Sequence, residues 1–482
     1  MFKRNLTALT DYYQLTMMQG YHSSGIAERR VVFDLFYRRN PSGNGYAIAA
    51  GLEQAIEYIT ELAFTDRDIS FLERQGIFTD AFLSYLRGFQ FTGDIHAIPE
   101  GTVVFPNEPL LQVTAPVIQA QFLETALLNI INHQSLIATK AARLVEAAAD
   151  DRVIEMGLRR AQGPDSSIYG ARASIIGGCT ATSNVLAAEL FDIPVRGTQA
   201  HSWVMGFDDE LTAFRAYAKV FPGNCILVAD TYDTLNSGVP NAIKVFGEMR
   251  EKNSDFRNFG IRLDSGDFAY LSKAARKMLD DAGFPDAVIG GSSDLNEMLI
   301  RDLKLQGSAI KLWGVGTNLI TSGDWPAFGG VYKLAAAEDE SGNFMPKIKI
   351  SDNVEKITNP GIKKIHRFYD AATGKIKADL LALQHETFDS GREQILFDPN
   401  ATWRRMTLPA NSYHVRELLT PVFIGGQCVY DAPSVMEIQA HCIHEKSTLW
   451  DEHRRLVNPH VLPVDLSEEL WELKERMINE MQ

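Results

Sequence analysis

Before residue 150 the apolar positions recur mostly at helical spacing. Residues 9–20 read as an early helix with Thr10 as its N-cap, which puts Tyr12, Tyr13 and Gln14 in the first turn. Residues 31–37, VVFDLFY, have strand composition and run straight into Arg38, Arg39, Asn40 and Pro41, a basic turn at a strand end. Leu52, Ile56 and Ile59 mark one face of an amphipathic helix over 51–62, and further helical segments follow over 66–87. From Phe89 the texture changes to short alternating apolar runs punctuated by Gly93, Pro99, Gly101, Pro106, Pro109 and Pro116, which predicts a compact β module with tight turns. A long helix rich in Leu, Ile and Ala is expected over 116–149.

A βα rhythm then sets in. Strands are expected at 153–156, near Val195, and at 225–229, 260–263, 287–289 and 309–313, with helices over 183–191, 208–220 and from Phe268 to Gly283. Continuous apolar strands separated by amphipathic helices predict a parallel sheet covered on both faces. Half a dozen such units, each with polar residues at the strand exit, point to an α/β barrel, closed or nearly so; an open doubly wound sheet is the alternative. Beyond about Lys333 the rhythm lapses into turns, including 338–343 and 359–364, with shorter strands, and an amphipathic helix occupies 467–481. The expected domains are residues 1–135, helical and β-rich; 136–335, the α/β barrel; and 336–482, a C-terminal segment packing on both. No repeat, low-complexity tract or flexible linker stands out.

Composition narrows the function classes. A chain of 482 residues exceeds one ordinary core, and 45% hydrophobic residues supply ample material to bury. The formal charge of -14 argues against a sequence-independent nucleic-acid binder, so any anionic ligand must meet a local basic cluster. Cys179, Cys225, Cys428 and Cys442 lie far apart, without CxxC pairing, and read as inert thiols in a reducing compartment. The start, MFKRNLTALTDYYQ, lacks the apolar run of a secretory leader. Gln112, Gln119, Gln121 and Glu124 interrupt the longest apolar-rich segment, 110–131, as a bilayer-spanning helix would not. The expectation is a cytoplasmic protein with neither nucleic-acid nor membrane partners.

Candidate chemistry gathers at the predicted strand exits. In PVRGTQAHSWVM, residues 194–205, His201 sits just past a strand's carboxyl end, where ligands bind in parallel α/β folds. A lone histidine is more often a core residue bonded to a carbonyl; the neighbours of His201 favour chemistry. The exits also carry Arg159, Arg160, Arg172, Arg196 and Arg262, and Asp230, Asp233, Asp264 and Asp267. One pocket with both signs of charge suits a phosphorylated sugar bound with a metal ion. The segments GGSSD and GVGTN would aim backbone N–H groups of Gly291, Ser292, Ser293, Gly314, Gly316 and Thr317 at phosphate, although such turns are often only tight turns. Each aspartate could equally cap the following helix, or accept ribose hydroxyls; Asp230 and Asp233 could hold the waters of a Mg²⁺ ion. No GxSxG elbow, Walker loop, HExxH or paired-cysteine site occurs.

The blocks LTDYYQLTM, FYRRNPSGNGYAIAAGLE, EMGLRRAQGPDSS, GGCTATSNVLAAEL, GTQAHSW, RLDSGD and NPHVLPVDLS, in this order over nearly the whole chain, resemble the nicotinate phosphoribosyltransferase family. The resemblance implies an irregular TIM-like α/β barrel with a β-rich domain built from N- and C-terminal segments, working as a homodimer with active sites shared across the interface. The implied reaction joins nicotinate to phosphoribosyl pyrophosphate (PRPP), giving nicotinate mononucleotide and pyrophosphate, with Mg²⁺ as cofactor and ATP as co-substrate, at the entry to NAD salvage. It assigns transient phosphorylation to His201, ribose-side acids to Asp230 and Asp264, and PRPP contact to Arg38. By similarity to the related nicotinamide enzyme, Tyr13 of a partner subunit stacks on the pyridine, and Arg159 and Arg262 face it. Met156 stands where that enzyme has a phenylalanine, and Thr180 where it has an aspartate. Losing that carboxylate removes repulsion against an acid substrate. Alternatives are a nicotinamide or quinolinate phosphoribosyltransferase, or a catalytically silent nucleotide-binding barrel.

Overall fold

The computed structural model describes residues 5–252, 257–323 and 325–481; Lys3 and Arg4, the basic residues at the start of the sequence, lie outside them. The chain divides into two compact units, Met1–Leu136 with Ala327–Gln482, and the contiguous Ile137–Pro326.

In the first unit, VVFDLFY is the centre of a seven-stranded sheet. Arg30–Tyr37 runs antiparallel to both Leu111–Pro116 and Gly330–Glu338, so both of its edges are paired; residues on both of its faces are buried, which is why the sequence reads as a continuous apolar run. Asp34, buried mid-strand, is paired with Lys363 at 2.8 Å and accepts from Gln112 at 2.9 Å. A second sheet joins Lys363–Asp370, Ile376–Leu383, Tyr413–Glu417 and Val464–Leu466. Here the expectation of shorter strands fails: three strands beyond Ala327 have eight residues and one has nine. In Lys363–Asp370 and Ile376–Leu383 charged residues disguised the strands, because Arg367 and Asp379 are buried as a pair. Arg367, fully buried, donates two hydrogen bonds from Nε and Nη2 to Asp379 and one from Nη1 to Glu445. Burial and the neighbouring Asp379 push the Glu108 carboxyl well above its ordinary range, although Arg367 at 4.0 Å opposes this.

Two helical boundaries also move. The first helix, Tyr12–Ser23, has Asp11 rather than Thr10 at its N-cap, and Asp11 directs its carboxylate to the hydroxyl of Thr125. The long helix expected over 116–149 is divided at Leu123 into Val117–Phe122 and Glu124–Ala148.

The second unit carries six parallel strands: β1 (Arg152–Glu155), β2 (Ala181–Thr182), β3 (Cys225–Val228), β4 (Phe259–Leu263), β5 (Val288–Ser293) and β6 (Leu312–Val315). Their order is β2-β1-β6-β5-β4-β3, a half-barrel sheet, and Val195 adds one parallel bridge beside Thr182. β5 runs on through GGSS, because residues 290–293 pair in register with residues 312–315 of β6. Gly291, Ser292, Ser293 and Gly314 therefore belong to strands, not to the turns expected from their composition. The helices expected over 183–191, 208–220 and 268–283 are Val185–Phe191, Glu210–Val220 and Phe268–Asp281; Pro164–Ile176 and Val239–Lys252 are helices that the reading of the sequence did not include.

All four cysteines are free. Cys179, Cys225 and Cys442 are buried; burial pushes the Cys225 thiol up to about 12 and the Cys442 thiol up to about 11, so both stay protonated and unreactive. Among the described residues no helix is long and apolar enough to cross a membrane.

Candidate active site

Side chains alternate along each strand, so every second residue of the half-barrel faces inward. Arg152 and Ile154 of β1, Leu312 and Gly314 of β6, Val288, Gly290 and Ser292 of β5, Arg262 of β4 and Ile226 of β3 all line one cavity of about 510 Å³. Barrel interiors are ordinarily filled by branched side chains. Here Gly290 and Gly314 contribute none, which leaves the interior hollow. At Gly314 a Cβ would fall 2.7 Å from Met156 Sδ, so the thioether occupies the room that glycine leaves. Arg152, Arg196 and Arg262 line the cavity, and among the described residues no acid does.

Acids stand just above it. Asp230, which follows β3 and has a side chain 2% exposed, accepts through Oδ2 from the backbone N–H of Asp264 at 2.8 Å and the hydroxyl of Ser265 at 2.6 Å. This locks the exits of β3 and β4 together. Its Oδ1 is buried without a hydrogen-bond partner and lies 4.0 Å from His201 Nε2. Asp264 Oδ2 approaches the same nitrogen at 3.5 Å, and its Oδ1 accepts from the Ser292 hydroxyl. His201 begins the short helix His201–Met205, and its Nδ1 lies 3.1 Å from Thr231 Oγ1. Arg262 donates to the Thr198 hydroxyl oxygen and holds its Nε 3.9 Å from Asp264. The imidazole thus has a hydroxyl on one nitrogen and two carboxylates facing the other, an arrangement that orients and polarises a nucleophile.

The exit of β1 is fixed differently. Glu155 is buried and, among the described residues, forms no ion pair; it accepts from the Thr182 hydroxyl at 2.5 Å and from the Gly157 N–H. Burial raises its carboxyl above the ordinary range despite those bonds. Gly157 is required there, since a Cβ would fall 2.5 Å from Ile320 Cβ.

Met156 and Thr180 line the cavity, with the Thr180 hydroxyl donating to the Val153 carbonyl at 3.1 Å; Gly291 lines it as well. Arg159 is exposed on the turn Leu158–Arg160, outside the cavity wall. Gly316 is the N-cap of Thr317–Ile320, and Thr317 is its first residue. Asp233 caps the turn after β3, accepting from the N–H groups of Leu235 and Asn236 and the Asn236 side chain, and these bonds hold its carboxylate below the ordinary range. Asp267 likewise caps Phe268–Asp281. The carboxylates that come together are therefore Asp230 and Asp264, not Asp230 and Asp233. In the first unit the Tyr13 hydroxyl donates to Glu124 at 3.3 Å, and Arg38 Nε donates to the Glu355 carbonyl at 3.0 Å. Sequence reasoning missed Thr198, Thr231, Ser265 and Glu155; the hydroxyls carry no periodic signal.

Among the described residues no group of three or more His, Cys, Asp or Glu could hold a metal ion. Mg²⁺ does not require one, since it takes one or two carboxylates and keeps water and phosphate oxygens. The partnerless, buried Asp230 Oδ1 beside Asp264 fits that demand.

Three family models match in succession: the nicotinate phosphoribosyltransferase N-terminal domain over residues 8–132, the nicotinate phosphoribosyltransferase family over 152–336, and its C-terminal domain over 362–474. The chain is 47% identical to the nicotinate phosphoribosyltransferase of Bacillus subtilis over 478 residues, 99% of this chain and 96% of that one. It is 35% identical to the Dictyostelium discoideum enzyme of that name, over 96% of this chain and 87% of the other. The crystal structure of human nicotinic acid phosphoribosyltransferase matches with a TM-score of 0.82 at 31% identity, covering 98% of this chain and 100% of that one. With the matched segments spanning both units and the hollow half-barrel carrying His201, Asp230 and Asp264 at its exits, the chain belongs to the nicotinate phosphoribosyltransferase family.

Proposed function

We propose that the chain transfers the 5-phosphoribosyl group of PRPP to nicotinate, releasing nicotinate mononucleotide and pyrophosphate in NAD salvage, and that ATP hydrolysis drives the transfer through phosphorylated His201. The observation that carries this reading is a cavity whose wall, among the described residues, carries arginines and no acid, together with a histidine flanked by two aspartates at the exits of the same strands. A pyridine carboxylate suits such a wall, and its ring nitrogen already has the lone pair that attacks, so no general base is needed.

Transfer proceeds dissociatively at the anomeric carbon. Positive charge grows on the ribose as pyrophosphate leaves, and Asp230 and Asp264 stand where they oppose it. Asp230, with Asp264, would hold Mg²⁺; when bound, the ion neutralises charge on the leaving pyrophosphate. The facing carboxylates favour a proton on His201 Nε2, which leaves the lone pair on Nδ1, against Thr231, as the acceptor of the phosphoryl group. A phosphate there adds charge and acceptors beside the two acids, which couples ATP to the handling of pyrophosphate. Met156 and Thr180 border the pyridine, and Gly314, Gly316, Thr317 and the Gly291–Ser293 strand end border the phosphoribosyl group.

The reading extends to architecture. The strand order β2-β1-β6-β5-β4-β3 is the cyclic order of a barrel with a single gap between β2 and β3, which supports an irregular TIM-like barrel. A homodimer in the cytoplasm, with Tyr13 of a second copy stacking on the pyridine and Arg38 meeting PRPP, completes it. The nicotinamide reading is weakened by the absence of an acid from the cavity wall among the described residues.

The test is pyrophosphate release from PRPP with nicotinate and Mg²⁺, with and without ATP, with nicotinamide in parallel. Nicotinate-dependent release raised by ATP is expected. Release with nicotinamide alone transfers the chain to the sister activity, and no release with any pyridine leaves the silent barrel.

A further inference from the structure

We infer that Glu210 is a positioning residue, the buried clamp that sets His201 against Asp230 and Thr231. This deepens the phosphohistidine reading and rests on it. His201 and its partners belong to different elements: the histidine opens the short helix His201–Met205, whereas Asp230 and Thr231 follow β3. The helix Glu210–Val220 grips both. On one side the Trp203 indole N–H donates to the Ala213 carbonyl at 3.1 Å, and the Trp203 ring meets that of Tyr217 edge-on at 5.8 Å. On the other side buried Glu210 accepts through Oε2 from the Ser237 hydroxyl at 2.5 Å and from the Asn241 side-chain amide at 2.8 Å. Glu210 and Ala213 lie within one turn, so both grips act at the same end of the helix.

Ser237 lies in Thr234–Gly238, a single π-helical turn of the kind found frequently at functional sites. This turn packs directly on the exit of β3, because a Cβ on Gly238 would fall 1.8 Å from the carbonyl oxygen of Ala229, the residue before Asp230. The N–H groups of Ser237 and Gly238 both donate to the Asp233 carbonyl, which closes the turn. Contacts thus run from Asp230 and Thr231 through the π turn to Glu210, and on through Ala213 and Trp203 to His201. Glu210 forms no ion pair among the described residues, and its Oε1 is buried without a hydrogen-bond partner. A carboxylate buried on those terms costs stability. Arg215 and Glu248 join the helices Glu210–Val220 and Val239–Lys252 by a solvent-accessible pair at 2.7 Å that does not touch the π turn. What Glu210 adds is the tie to Ser237. Asp230 keeps its own bonds to Asp264 and Ser265, so loosening Glu210 moves the histidine rather than the acids.

The test uses the full chain with PRPP, nicotinate and Mg²⁺, with and without ATP, and compares wild type, Glu210→Gln, Ser237→Ala, the double variant and Glu248→Gln. Label retained on the protein from γ-labelled ATP reads the phosphohistidine, and pyrophosphate release without ATP reads the transfer itself. Glu210→Gln and Ser237→Ala are each expected to cut labelling and ATP stimulation by roughly 10- to 100-fold, the scale of a displaced reacting group, while ATP-independent release stays within about twofold. The double variant falls no further than the worse single one, because both break the same bond. Glu248→Gln matches wild type in both readouts. Ser237→Ala removes only a hydroxyl and carries the test where Glu210→Gln does not fold. Undiminished labelling in the folded single variants, an equal fall with and without ATP, an equal loss in Glu248→Gln, or losses that multiply in the double variant would each overturn the assignment and leave the phosphohistidine reading intact. A wild type that takes no label overturns both.

Discussion

Gly290→Ala isolates the hollow of the half-barrel from its stability. Gly290 lies within β5, at a φ that is not positive, and faces the cavity. A Cβ built there meets Leu312 O at 3.6 Å, Ile261 O at 3.7 Å and Arg262 Cγ at 3.8 Å, all ordinary van der Waals contacts. The protein itself therefore has room for the methyl. Replacing glycine by alanine at a compatible backbone position restricts the unfolded chain and stabilises by about 0.4–1 kcal/mol. The ligand does not have that room: the methyl enters the cavity beside Arg262, where overpacking costs about 1–3 kcal/mol, or roughly 10- to 100-fold in kcat/KM for nicotinate. Thermal unfolding and steady-state kinetics on the same preparation decide the matter. The expected result is an unchanged or raised Tm with a large fall in kcat/KM. Undiminished kcat/KM would show that the pyridine does not use this wall, and a Tm lowered by several degrees would show that the interior is packed rather than hollow. Gly314→Ala supplies the contrast, because its Cβ would press on Met156 Sδ at 2.7 Å and force the thioether to move.

Thr180→Asp places a carboxylate on the cavity wall and should shift the ratio of kcat/KM values toward nicotinamide by about tenfold or more; an unchanged ratio discards repulsion as the basis of selectivity. His201→Ala should abolish the stimulation by ATP and leave some ATP-independent transfer, so an ATP effect of full size in that variant removes the phosphohistidine from the scheme. Burial, then Asp398, pushes the Asp465 carboxyl from 3.8 up to about 6. Because the folded state holds the proton more tightly, this residue is neutral to stability below about pH 4, destabilises progressively as pH rises to 6, and destabilises fully above that. After allowance for solvent screening, Asp465→Asn should stabilise by about 1–2 kcal/mol at pH 7 and by nothing at pH 3.5, measured by denaturant unfolding at both values.

What the sequence displays depends on the range of the interaction. The parallel strands are legible because runs such as CILV are buried on both faces and need no partner to be recognised. The GGSS end of β5 is not, since nothing in glycine and serine favours a strand and only the ladder with β6 makes it one. Asp230, Asp264 and His201 can be picked out as acids and a histidine at strand exits, and the structure brings them within 4.0 Å of one another. Thr198, Thr231 and Ser265 could not be picked out, because their partners Arg262, His201 and Asp230 are 64, 30 and 35 residues distant and hydroxyls occur everywhere on loops. Asp233 and Asp267 carry the same local signal as Asp230, yet each closes on the helix or turn that follows it. The charged strands beyond Ala327 misled for a related reason: Arg367 and Asp379 look exposed until their pairing is known.

The division of the chain has a consequence for synthesis. The strand Arg30–Tyr37 leaves the ribosome early, yet the strand Gly330–Glu338 that covers one of its edges is about three hundred residues behind it. Arg367 must wait further, for Glu445, and Ile376–Leu383 for Val464–Leu466. Ile137–Pro326 is contiguous and has all of its own strands in hand long before then. The nascent chain thus completes its middle first and its ends last, and the apolar VVFDLFY segment spends most of translation with one edge uncovered.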